Sequence, residues 1–198
     1  MTLRARYLAI LAACCAAIVT AGVLYGINGR AVHAGARPPA VLDKLKPVAG
    51  SPTAPDVGFI DASGKAVKLA DFRGRYLLIN LWATWCGPCI TELPGLARLN
   101  AELPQDRVTV VPIDMLEKLD AAKLGDFLAM HDAATLPVYM DRELSVQRGF
   151  VANELPLSLL IDADGHIVAK AAGPQKWDDP QSVAYLKTIS APTNLSHQ

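Results

Sequence analysis

Cysteine is scarce in this chain. Four occur among 198 residues, and two of them, Cys14 and Cys15, lie inside an apolar N-terminal run. The rest of the chain is left with one pair, Cys86 and Cys89. That excludes a small fold stapled by several disulfides and suits a protein whose thiols do chemistry. Net charge is lacking too, since 19 Lys and Arg balance 19 Asp and Glu. No basic patch or stripe marks a nucleic-acid partner. No repeat of solenoid length is visible. With 52% hydrophobic and 19% charged residues, the chain is not a disordered one. Its length allows one core-forming domain plus an extension.

Charge is also missing from Tyr7 to Ile27. As a helix, that run is long enough to cross a hydrocarbon core of about 30 Å. The apolar core of a cleaved signal is usually shorter, roughly 7 to 15 residues. Residues 1–27 are therefore expected to form a single-pass, uncleaved anchor. Two alternatives are a cleavage site at Val32-His33-Ala34 and a lipoprotein signal at Leu11-Ala12-Ala13-Cys14. Against the second, the apolar run continues past Cys14. Arg4 and Arg6 precede the span and Arg30 and Arg37 follow it, so loop charge orients it only weakly. Residues 28–55, with Pro38, Pro39, Pro47, Pro52 and Pro55, are expected to be an extended linker reaching up to about 80 Å. The alternative is a segment packed on the domain through Val41, Leu42 and Leu45. The domain itself is expected over 56–190, with 191–198 as a tail.

The most informative stretch runs from Leu77 to Cys89. Leu77 to Trp82 reads as a strand buried on both faces, and a helix-like pattern follows the cysteines. A helical turn brings residues three apart onto one face, so Cys86 and Cys89 can close as a disulfide or open as a dithiol. Cys86 at the helix N-terminus meets unpaired N–H groups and the positive end of the helix dipole, which favour a thiolate. Cys89, one turn in, suits a resolving thiol. Gly87 allows a partner backbone to approach closely, and Pro88 suits the first turn of a helix. Two blander readings exist. A purely structural disulfide around two residues would stabilise little. A zinc half-site needs two more ligands, and only scattered histidines such as His131 and His166 are on offer.

With Trp85-Cys86-Gly87-Pro88-Cys89 the chain resembles the thioredoxin superfamily, and over Leu77 to Cys89 its membrane-anchored TlpA/ResA/CcmG-type branch. The resemblance spans roughly residues 55–190. It implies a thioredoxin fold, a central mixed β-sheet flanked by helices, with an N-terminal β-hairpin and an insertion between the two halves. The other elements fit. Val57–Ile60 and Lys65–Leu69 flank the turn Asp61-Ala62-Ser63-Gly64 as a hairpin. Strands are expected at 107–114, 137–140, 157–162 and 167–172, and helices at 120–131, 144–150 and 178–189. Cys89, Leu93, Leu96, Leu99 and Leu103 form the apolar stripe of the helix after the cysteines, interrupted by Pro94.

The resemblance also implies roles. Cys86 attacks a client disulfide and Cys89 releases the reduced product. Pro156 matches the family's cis-proline facing the cysteines, which exposes the Leu155 backbone for strand-like pairing with a client. Trp85 shields the nucleophile, while Trp82 reads as core. Many thioredoxins carry a buried aspartate where Asn80 stands, so that proton route is closed here. Glu154, two residues before Pro156, is a candidate replacement base, with a solvated loop carboxylate as its bland reading. No cofactor or metal is expected beyond the redox-active Cys86–Cys89 pair. The implied place is a bacterial inner membrane with the catalytic domain in the periplasm. The implied partners are a membrane electron donor of the DsbD/CcdA type and disulfides of client proteins, apocytochrome c or the copper-site proteins of oxidase assembly. Two rivals are a dithiol oxidase or isomerase and a non-catalytic copper-binding module. A peroxiredoxin is disfavoured, because Ile79 and Ala83 replace the proline and threonine usual upstream of its cysteine.

Overall fold

A computed structural model of the chain describes residues 36–191, apart from positions 104, 106, 116 and 117. Eight strands form one sheet in the order β1-β8-β7-β4-β5-β6-β2-β3. They are β1 (Lys46–Pro47), β2 (Gly58–Asp61), β3 (Ala66–Lys68), β4 (Tyr76–Trp82), β5 (Val108–Met115), β6 (Tyr139–Asp141), β7 (Leu157–Ile161) and β8 (Ile167–Ala172). The helices are α1 (Gly87–Glu102), α2 (Ala121–Met130), α3 (Ser145–Phe150) and α4 (Pro180–Ile189). β4, β5 and β6 run parallel to one another, and β7 runs antiparallel to β4. This is the mixed sheet flanked by helices expected from the sequence. The hairpin is present as β2–β3 and attaches to the sheet through β6.

β4 organises the rest because every one of its residues is buried. Successive side chains point to opposite faces of a strand. Leu78 and Trp82 enter one core with Leu93, Leu96 and Leu99 of α1 and Leu186 of α4. Leu77, Ile79 and Leu81 enter the other with Phe59, Phe72, Val146 and Phe150. By the same alternation Asn80 points to the α1 face. A polar side chain there must find partners inside the protein.

The linker expectation is corrected from Arg37 onward, where the compact unit begins. A short turn at Ala40–Leu42 buries Leu42, and Leu45 is buried beside it. β1 pairs with β8, and Val48 N–H donates to Val168 O. Ile167 N–H donates to Pro52 O, and Ala54 N–H to Gly165 O. The prolines misled because they suit an edge strand as well as a free linker. An edge strand needs no ladder N–H on its solvent side, so Pro47 fits in β1. The expected anchor over 1–27 lies outside the described residues, as does the tail beyond Ala191. Among the described residues no helix is long and apolar enough to cross a membrane.

Candidate active site

β4 delivers the chain to the cysteines, and the turn after Trp82 starts α1 at Gly87. Cys86 is the N-cap of α1, and Cys89 N–H donates to its Sγ at 3.3 Å. Pro88 stands in the first turn, where its missing N–H has no helical partner to lose. The two cysteines are joined as a disulfide with their Cα atoms 5.2 Å apart.

Their surroundings differ. Cys86 is 6% exposed and lines a cleft of 550 Å³ with Trp85, Gly87, Pro88, Glu154 and Leu155. Cys89 is 1% exposed and is absent from the lining. A client sulfur arriving through the cleft therefore meets Cys86 first. Trp85 is 63% exposed and stands in the cleft wall, while Trp82 is core. Leu155–Pro156 is a cis peptide bond, as the resemblance implied, and Leu155 lines the same cleft. Glu154 is exposed in that wall. The cleft is completed by Met115 from the end of β5 and Gln147 of α3.

Sequence reasoning missed Glu92. It lies one turn beyond Cys89 on the buried face of α1 and is 4% exposed. Its Oε1 accepts from Asn80 Nδ2 at 3.2 Å and from the Trp177 indole N–H. Asn80 also reaches Ser158 Oγ at 3.0 Å. Burial pushes the Glu92 carboxyl up to about 8. The Trp177 indole, the Gln175 backbone N–H and the Lys44 ammonium all pull it down without prevailing. A signal was available, since an acid three residues past Cys89 stands inside an otherwise apolar stripe. Trp177, fully buried just before α4, was also missed as its partner.

For the metal-bound alternatives, only one group of three metal-type side chains occurs among the described residues, Asp162, Asp164 and His166. It sits on the turn after β7, at the far end of that strand from Pro156. The two cysteines gain no third ligand from it.

Known proteins agree with this arrangement. The profile of the AhpC/TSA family matches residues 51–170. The thiol-disulfide oxidoreductase ResA of Bacillus cereus is 32% identical over 137 residues, covering 69% of this chain and 76% of that protein. ResA of Bacillus subtilis (strain 168) is 27% identical over 134 residues, covering 68% and 73%. Among solved structures, a thiol:disulfide interchange protein of the thioredoxin family from Chlorobium tepidum TLS superposes with a TM-score of 0.57 at 25% identity, covering 70% of this chain and 99% of that one. With a buried Cys89 behind a cleft-lining Cys86, on a fold shared with these proteins, the chain belongs to the AhpC/TSA family as a thioredoxin-like thiol:disulfide oxidoreductase.

Proposed function

We propose that this thiol:disulfide oxidoreductase reduces disulfides of client proteins on the periplasmic side of a bacterial inner membrane, tethered there by residues 1–27. The observation that carries the chemistry is the pairing of Cys86, open to a cleft, with Cys89, closed off behind it. In the dithiol form the Cys86 thiolate attacks a client disulfide, and one client sulfur leaves as a thiolate. Cys89 then gives up its proton and attacks Cys86 of the mixed disulfide, so the second client sulfur leaves. Two electrons pass to the client, and the enzyme is left with the Cys86–Cys89 disulfide. A donor dithiol from a membrane partner of the DsbD/CcdA type restores it. We assign the Cys89 proton to Glu92, the buried acid one turn away, because Asn80 cannot ionise.

A reducing role is supported by the Gly87-Pro88 spacer, which matches thioredoxin at about −270 mV. The likeness to ResA and to the TlpA/CcmG type supports clients in cytochrome c or cytochrome oxidase assembly. Two experiments test this. With Cys89→Ala the mixed disulfide on Cys86 should accumulate with its natural client, identifiable by mass spectrometry; no trapped client would end the assignment. Equilibration with glutathione of known poise should give a low potential. A value above about −180 mV would favour the dithiol oxidase or isomerase.

A further inference from the structure

Glu92 keeps part of its carboxyl outside the hydrogen-bond network around Asn80 and Trp177. Its Oε2 is buried without a hydrogen-bond partner. A second buried oxygen without a partner, Oε1 of Gln175, belongs to the residue whose backbone N–H faces the Glu92 carboxyl. Gln175 is 8% exposed, and its Nε2 is turned back to Pro174 O at 2.9 Å. Over this segment lies Lys44. Its side chain crosses Gly173 so closely that a Cβ there would stand 2.9 Å from Nζ and 3.4 Å from Cδ. Gly173, at φ +90°, donates its N–H to Pro156 O at 2.8 Å, which ties this segment to the cis-proline loop. Buried Leu42 and Leu45 flank Lys44 and hold it in place, while Lys44 itself is exposed.

Among the described residues, Lys44 is the charged group that acts on the carboxyl. β4 offers Asn80, which leads on to Ser158 of β7, and the segment before α4 offers Gln175 and Trp177. Its own helix offers Cys89, one turn away. Lys44 acts on the carboxyl electrostatically and favours its charged form. Neither Lys44 nor Gln175 lines the Cys86 cleft. We propose that Lys44 and Gln175 form a polar port to Glu92, through which the proton taken from Cys89 exchanges with solvent, and that Lys44 is the positioning residue that keeps Glu92 able to accept it. The proposal rests on the acid–base reading of Glu92 given above. It gives the N-terminal arm a catalytic consequence. A client seated on the cleft covers the front of the site, and the port remains open behind it.

The proton balance is simple. As Cys89 sulfur bonds to Cys86 sulfur, its proton moves to the Glu92 carboxylate, and the departing client thiolate takes a proton from solvent. Glu92 then returns to its starting state by releasing its proton past Gln175 and Lys44.

The test is the pH dependence of single-turnover reduction of a peptide disulfide by the full-length dithiol protein. Alkylation of Cys86, followed separately, marks the limb that belongs to its thiolate. A second limb, removed by Glu92→Gln, belongs to Glu92. Lys44→Met keeps the aliphatic stem and removes the charge. It should move the Glu92 limb to higher pH and slow the reaction near neutrality by about two- to threefold, the modest size expected when one member of a charge pair is solvent-exposed. Lys44→Arg should restore the wild-type profile, and Lys44→Met should have no further effect in the Glu92→Gln background. A merely structural Lys44 would change the rate equally at every pH. Superimposable profiles for Lys44→Met and wild type would overturn the port while leaving Glu92 as the base. A limb that survives Glu92→Gln would instead overturn the acid–base reading on which the port rests.

Discussion

Two carboxylates near the cysteines show how environment assigns roles to identical chemistry. Glu154 stands in the cleft wall in contact with solvent, while Glu92 is buried against Asn80 and Trp177. A buried acid is held in its neutral form because low dielectric penalises the charge. A group titrating near the working pH can take and return a proton in turnover. Glu154→Gln should therefore leave the pH–rate profile of client reduction unchanged, whereas Glu92→Gln should remove a limb near pH 8. An altered profile in Glu154→Gln would return that residue to candidacy. Glu154 drew attention in the sequence because it is two residues from Pro156. Glu92 did not, because its partners Asn80 and Trp177 come from 12 and 85 positions away.

At the level of elements, α1 and the N-terminal arm have contrasting legibility. The α1 stripe could be read locally, because the spacing of Cys89, Leu93 and Leu96 alone places them on one face. The arm could not, because a stretch rich in proline looks alike whether it hangs free or lies on a sheet edge. Its anchoring rests on Leu42 and Leu45, which reach a core built from β4, α1 and α4. Leu42→Ala should then destabilise the protein by about 2–5 kcal/mol, the usual cost of a buried leucine truncation. Urea unfolding measures it, and a loss near zero would mean that the arm contributes nothing to the domain. The small elements of the insertion, β6 and α3, were foreseen, but their joint service to the site was not. Gln147 of α3 reaches the cleft, and its N–H is fixed by Asp141 of β6 at 2.9 Å.

For the whole molecule, Glu92 couples stability to pH. Its folded pKa, about 8, lies above the ordinary glutamate value of 4.5, so the folded state binds the extra proton between those limits. The contribution is fully present below pH 4.5 and is lost as pH rises through 8. The upper bound on that loss is about 4–5 kcal/mol. Denaturation midpoints of wild type should fall from about pH 5 to about pH 9 relative to Glu92→Gln, measured in parallel. Parallel curves for the two proteins would contradict the burial of an ionisable Glu92. On the same scale, the proposed tether can be tested apart from the domain. The full chain should sediment with membranes, and a chain beginning at Arg37 should remain in the aqueous phase with its thiol:disulfide exchange activity intact. If both partition alike, residues 1–27 are not an anchor.

The order of strands and helices from β2 onward, the reactive pair and the cis-proline position were legible from the chain alone. Each is written in local signals, such as alternation along a strand, a turn motif, or a short cysteine motif and a later proline that together match a known pattern. Which acid is buried beside Asn80, where Lys44 lies and whether the proline-rich arm belongs to the domain were decided only by the folded structure. Those features arise where separate elements close on one another, and burial sets their energies. Burial of a side chain is a property of its neighbours in space, which neighbours in sequence do not specify.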